Sequence, residues 1–173
     1  GTISVRSELG RGTEISISFV AAEADAISLS AGRTGANGPE NAGATMSGTV
    51  LLAEDNEMNM EIAKRILEKF GLRVVHAENG ARAVELFSAS APGAYRTVLM
   101  DIQMPVMNGY EAAKAIRQLN RPDAKSVPII AMTADAFTAA VEHSKAVGMT
   151  DYVTKPLDVG VLREALVKSE QRQ

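Results

Sequence analysis

The chain has 173 residues, of which 46% are apolar and only 4% aromatic, with a formal net charge of -3 and no cysteine. This suits one ordinary domain, or a domain plus a fragment, and it excludes disulfides and thiolate metal sites. The weak charge gives no footing for nucleic acid or an anionic membrane, and no apolar run approaches the roughly 18 residues of a membrane span. Gly1-Thr2-Ile3-Ser4 is neither an initiating Met nor a signal peptide, so the chain reads as a piece of something longer.

Residues 1–20 alternate like two strands, with Ile3 and Val5 in the first run and Ile15, Ile17 and Phe19 in the second. Leu9-Gly10-Arg11-Gly12 between them supplies turn chemistry, so a β-hairpin is expected, too small to hold a core alone. Residues 21–48 are rich in Ala, Gly, Ser, Thr and Asn and nearly free of large apolar side chains. Such a segment cannot bury enough surface to offset its ordering entropy and is expected to be a flexible linker.

Residues 49–173 alternate short apolar runs with amphipathic stretches. The runs at 49–53, 72–76, 97–101, 128–133 and 151–154 suit strands of a parallel sheet covered on both faces. The stretches between them predict five helices. In the first, Met58, Ile62, Ile66 and Phe70 recur every four residues, and Gly71 is placed to end it. The other four are expected at 81–87, 110–119, 137–147 and 157–168. Five βα units predict one doubly wound α/β domain, a flavodoxin-like five-stranded parallel sheet flanked by five helices.

Ligands of such sheets sit at the carboxyl ends of the strands. The first strand ends in Glu54-Asp55, the third in Asp101 and the fourth in Thr133, and Lys155-Pro156 follows the fifth. Three carboxylates in one crevice need a counter-ion, and Mg²⁺, a hard cation that takes carboxylate, water and phosphate oxygens, is the natural one. Lys155 adds a mobile positive charge and Thr133 a hydroxyl for a phosphoryl oxygen. Taken singly, each residue has a plainer explanation. Asp55 or Asn56 can cap the helix starting near Glu57, Thr133 can serve the strand, and Lys155 can be solvated. Their joint placement on successive strand ends favours a site.

Met100-Asp101-Ile102-Gln103-Met104-Pro105-Val106-Met107-Asn108-Gly109 resembles the phosphorylation loop of response-regulator receivers, especially those of hybrid sensor histidine kinases. So do Leu51-Leu52-Ala53-Glu54-Asp55-Asn56, Ala131-Met132-Thr133-Ala134-Asp135-Ala136 and Gly148-Met149-Thr150-Asp151-Tyr152-Val153-Thr154-Lys155-Pro156, in order and with similar spacing. The resemblance implies that Asp101 is the nucleophile that becomes an aspartyl phosphate. It implies that Asp55 binds Mg²⁺ directly, Glu54 through water and Gln103 by its backbone carbonyl. Lys155 pairs with the phosphoryl oxygens, which the Thr133 hydroxyl and the Ile102 and Ala134 amides help to hold. Gln103 and Asp135 tune the phosphate lifetime, and Tyr152 is the switch aromatic that moves inward as Thr133 turns to the phosphate. Pro105 and Gly109 shape the loop, Pro105 through its fixed φ and Gly109 by adopting a conformation other residues resist. His76 and His143 lack a kinase-type phosphodonor motif.

Residues 1–20, with Gly10-Arg11-Gly12-Thr13, resemble the end of a histidine-kinase ATP-binding domain. The rest of such a site is absent, so ATP binding is not expected. The implied whole is a cytoplasmic phosphorelay receiver, with membrane anchorage of a longer parent left open. It works with a kinase core in cis and a histidine phosphotransfer domain, and contacts neither nucleic acid nor membrane. The fragment lacks kinase catalysis, although a receiver catalyses its own phosphoryl transfer and dephosphorylation. With no output domain after the last helix, relay is favoured over transcription control. A protein-binding receiver with an unused site is disfavoured by the intact constellation. An Asp-nucleophile phosphatase would want a second Asp where Gln103 stands, and a flavodoxin-like cofactor binder a phosphate-cradling loop where Glu54-Asp55-Asn56 stands.

Overall fold

The computed structural model describes residues 2–8, 12–18, 45–134 and 144–170. The chain divides into two compact units, Gly1–Asn41 and Ala42–Gln173. In the first, β1 (Thr2–Glu8) and β2 (Gly12–Ser18) pair antiparallel, with Ile3 opposite Ile17 and Val5 opposite Ile15. This is the expected hairpin. Its turn, Phe19 and most of the expected linker lie outside the described residues.

In the second unit β3 (Thr49–Ala53), β4 (Arg73–Ala77), β5 (Thr97–Asp101), β6 (Ile129–Thr133) and β7 (Asp151–Thr154) form one parallel sheet in the order β4-β3-β5-β6-β7. The helices described in full are α1 (Glu57–Lys69), α2 (Gly80–Ala89), α3 (Gly109–Gln118) and α4 (Val159–Glu170). Residues 144–146 are also helical, within the span expected for a helix at 137–147. The remainder of that span, with His143, lies outside the described residues.

Strand side chains alternate between the two faces, and each face has its own apolar layer. Leu51, Ala53, Val98, Met100, Ile129 and Ala131 pack with Ala83 and Phe87 of α2 and Ala112, Ala113 and Ile116 of α3. Val50, Leu52, Leu99, Ile130 and Met132 pack with Ala63 and Leu67 of α1 and Leu162, Ala165 and Leu166 of α4. β5 is central and buried at every position, so Asp101 ends the most enclosed strand of the sheet. Truncating one of these leucines to alanine would cost about 2–5 kcal/mol.

The apolar stripe of α1 departs from expectation. Met58 is 74% and Ile62 49% exposed, while Ala63 and Leu67 are the residues buried. A four-residue step overshoots one helical turn by roughly 40°, so the stripe from Met58 to Phe70 swings by about 120°. It starts in solvent and reaches the sheet only near Ile66 and Phe70, which pack on the second apolar layer. Gly71 ends the helix as expected, with φ at +90°, a conformation that glycine adopts without steric penalty.

Candidate active site

The strand order reverses at β3, which lies between β4 and β5, and a crevice opens beyond the carboxyl ends there. Glu54 and Asp55 follow β3, and Asp101 ends β5. The Glu54 backbone amide donates to the Ala77 carbonyl (3.1 Å), while the Glu54 carbonyl accepts from His76 Nε2 (2.8 Å). A carbonyl oxygen can only accept, so this contact puts the proton on Nε2. The Glu54 side chain is buried, and Oε1 accepts from Asn59 Nδ2 (3.0 Å) and Oε2 from Lys155 Nζ (2.6 Å). Lys155 also reaches Asp101 Oδ2 (2.7 Å), and the Gln103 amide donates to Asp101 Oδ1 (3.2 Å). One carboxylate oxygen from each of Glu54, Asp55 and Asp101 lies within 4.8 Å of the other two. Lys155 arrives from the turn after β7, where its peptide bond to Pro156 is cis.

Burial dominates the electrostatics of Asp101. It pushes the carboxyl above its ordinary value, with the Glu54 charge adding and the Lys155 hydrogen bond and charge opposing. For Lys155, burial pulls the ammonium down, but hydrogen bonds to Asp101 and Glu54, and then their charges, leave it above lysine's ordinary value. The site therefore keeps a firmly protonated lysine beside an acid whose ionisation costs free energy. Three carboxylates against one ammonium leave room for further positive charge, and a set of hard oxygen donors fits a small divalent cation.

Asn56, not Asp55, caps α1, accepting from the Asn59 amide (3.0 Å). Asp55 is thereby exposed and available to the cluster. Thr133 ends β6, nearly buried, and its carbonyl accepts from the Lys155 amide (2.7 Å). Ala134 follows it, exposed, and Asp135 lies outside the described residues. Tyr152 stands opposite Ala131 in the sheet and is 38% exposed.

Two details differ from expectation. The Ile102 amide, expected at the phosphoryl group, is engaged by the Met132 carbonyl (3.1 Å), because the β5–β6 ladder runs one residue past the strand end. The amide that meets the Asp101 carboxylate is that of Gln103. Gly109 is required for space rather than for an unusual φ. A Cβ there would fall 2.1 Å from the Asp101 carbonyl oxygen, and Gly109 is not among the residues with positive φ. That positive φ belongs to Val106, at 69°.

Asn59 and His76 belong to the site by contact, and sequence reasoning did not select them. The usable signal was an amide five residues after the first acid, on the first turn of α1.

A family model for the response regulator receiver domain matches residues 50–167. The chain belongs to the response regulator receiver domain family. The receiver is similar to hybrid signal transduction histidine kinase I of Dictyostelium discoideum, 38% identical over 75% of this chain and 8% of that protein. It is also similar to the peroxide stress-activated histidine kinase mak1 of Schizosaccharomyces pombe, 39% identical over 63% of this chain and 7% of that protein. The chain thus spans under a tenth of these two relatives.

Among solved structures the receiver resembles that of sensor histidine kinase PA1611 from Pseudomonas aeruginosa, which has a magnesium ion in its active-site cleft. They share 33% identity with a TM-score of 0.64, over 71% of this chain and 97% of that one. It also resembles the Saccharomyces cerevisiae complex of the histidine phosphotransfer protein Ypd1 with the Ssk1 receiver. There the identity is 28% and the TM-score 0.63, over 73% of this chain and 92% of that one. The flavodoxin-like receiver fold expected from the run of βα units is borne out. Among the described residues no helix is long and apolar enough to cross a membrane.

Proposed function

We propose that this receiver takes a phosphoryl group from a phosphohistidine onto Asp101 in a Mg²⁺-dependent reaction and passes it to a histidine phosphotransfer partner. The observation that carries this reading is the Asp101 carboxylate, buried at the end of β5, 2.7 Å from Lys155 Nζ and clustered with Glu54 and Asp55. A carboxylate oxygen of Asp101 attacks phosphorus as the phosphorus–nitrogen bond breaks, and the imidazole leaves with the bonding pair. Transfer onward reverses this step, and attack by water releases inorganic phosphate.

Asp55 and Asp101, the Gln103 carbonyl and, through water, Glu54 would hold Mg²⁺. Bound there, the ion neutralises charge on the phosphoryl oxygens. Lys155 pairs with those oxygens, and the Thr133 hydroxyl with the Gln103 and Ala134 amides donates to them. Catalysis of this kind is positioning and charge neutralisation. The Gln103 and Asp135 side chains set the lifetime of the acyl phosphate. Thr133 and Tyr152 form a switch, with the exposed Tyr152 moving inward as Thr133 turns to the phosphate, so phosphorylation biases a two-state element.

The hybrid kinase relatives support a parent in which residues 1–20 end an ATP-binding domain, 21–48 are a linker and 49–173 are the receiver. That parent carries its kinase core in cis and works in the cytoplasm. The Ypd1–Ssk1 complex supports a phosphotransfer protein as the onward partner.

The test is intact mass after incubation with acetyl phosphate. Wild type is expected to gain a phosphate adduct only with Mg²⁺, and Asp101→Asn none. A wild type that stays unmodified would favour a binding-only receiver, and an adduct persisting in Asp101→Asn would place the chemistry on another residue.

A further inference from the structure

We infer that Asn59 is a positioning residue for the metal-binding acid Glu54, acting across the gap between the first turn of α1 and the end of β3. This rests on the proposed Mg²⁺ role of Glu54. Glu54 is buried, and both its carboxylate oxygens are engaged. Lys155 Nζ holds Oε2 at 2.6 Å and Asn59 Nδ2 holds Oε1 at 3.0 Å. Behind the side chain, the Glu54 main chain is clamped by the Ala77 carbonyl and His76 Nε2.

These contacts differ in kind. Lys155 is shared with Asp101, so it is the group with a second demand on it when a phosphoryl anion arrives. Asn59 gives its side-chain amide to Glu54, and its backbone amide to the Asn56 cap that starts α1. The helix cap therefore fixes the residue whose side chain fixes the acid. A neutral amide orients the carboxylate without adding charge, so it constrains Glu54 while leaving the cluster's attraction for a cation intact. Partners of this sort behind metal-binding carboxylates typically govern affinity by 10–100-fold.

The contact also accounts for a glutamate at this position. An aspartate is one methylene shorter, and from the same clamped backbone its carboxylate would stop about 1.5 Å short of the Asn59 amide. Asn59 and Glu54 should therefore behave as a length-matched pair, and the contribution of Asn59 should depend on which acid it faces.

A double-mutant cycle read by calorimetric Mg²⁺ titration of the full 173-residue chain tests this. Asn59 is exposed and Ala is a strong helix former, so Asn59→Ala should fold, with apo thermal midpoints checking each variant. Asn59→Ala is expected to weaken Mg²⁺ roughly tenfold in the Glu54 background and by less than about twofold in the Glu54→Asp background. Asn59→Gln moves the methylene to the other side of the contact, and is expected to tighten Mg²⁺ binding when added to Glu54→Asp. A matching loss from Asn59→Ala in both backgrounds, or no loss in either, would overturn the inference while wild-type binding stands. Mg²⁺ binding that is absent in wild type, or that survives Asp55→Asn, would instead overturn the metal site itself, and the inference with it.

Discussion

The first residue of α3 touches the phosphoacceptor strand so closely that a Cβ on Gly109 would sit 2.1 Å from the carbonyl oxygen of Asp101. The Gly109 amide donates to the Ile102 carbonyl at 3.0 Å, so helix start and strand end are one rigid unit. Asn108 caps the helix with a full capping box through Glu111, which fixes the first turn of α3. Gly109→Ala must therefore shift the Asp101 backbone or the start of α3, and the bond from Gly109 to Ile102 couples the two. The expected outcome is a loss of stability of about 1–3 kcal/mol by denaturant unfolding. A fall in Asp101 phosphorylation by acetyl phosphate should exceed what unfolding explains. Wild-type phosphorylation in Gly109→Ala would mean that α3 gives way instead.

Val106 carries the strain of the same loop. Met107 donates to the Pro105 carbonyl at 2.7 Å, closing a three-residue turn around a β-branched residue at φ 69° that is 86% exposed. Nothing is lost from the core if it is replaced. Val106→Asn is expected to stabilise the fold by about 1 kcal/mol, because asparagine tolerates positive φ. A lower denaturant midpoint for Val106→Asn would show that the valine side chain makes contacts that outweigh the strain.

Lys155 neutralises two buried carboxylates at once. Lys155→Met keeps much of the side-chain volume and removes the cation, leaving Glu54 and Asp101 facing each other. Complete burial would make this cost about 3–5 kcal/mol, but the Lys155 side chain is 20% exposed, which lowers the expectation to about 2 kcal/mol. Denaturant unfolding without divalent metal measures it. An unchanged midpoint would mean that the two acids share a proton or admit water.

The parts of this site legible in sequence are those that depend on strand ends. Glu54, Asp55, Asp101 and Thr133 follow from where apolar runs stop, and a parallel sheet brings those stops to one edge whatever the helices do. Lys155 followed from the same rule. The parts not legible depend on how helices seat. Met58 and Ile62 spell a helical period, yet α1 seats with both toward solvent and buries Ala63 and Leu67 instead. The same seating brings Asn59, an ordinary polar residue of a first turn, against Glu54. Gly109 was recognisable as special, but for the wrong reason, since a clash with Asp101 is a property of packing and leaves no mark on the local turn signal.

The pH dependence of stability should carry the imprint of Asp123. The Arg121 guanidinium bonds Asp123 at 2.6 and 2.9 Å, and the Gly93 amide adds a third bond at 2.8 Å. The Arg121 hydrogen bond, aided by Gly93 and opposed by burial, holds the Asp123 carboxyl below its ordinary value. Arg121 in turn donates to the Phe87, Ser90 and Ala91 carbonyls at the end of α2 and lies 4.4 Å over the Phe87 ring, so Asp123 orients a group that closes that helix. A depressed carboxyl contributes stability that is fully present above its unfolded value and is lost as pH falls through its folded one. Asp123→Asn is therefore expected to lower Tm at neutral pH, with the gap to wild type narrowing as pH falls below the ordinary carboxylate range. Paired thermal melts from neutral to strongly acidic pH check this. A gap that stayed constant or widened in acid would mean that Asp123 acts through shape and hydrogen bonding rather than through its charge.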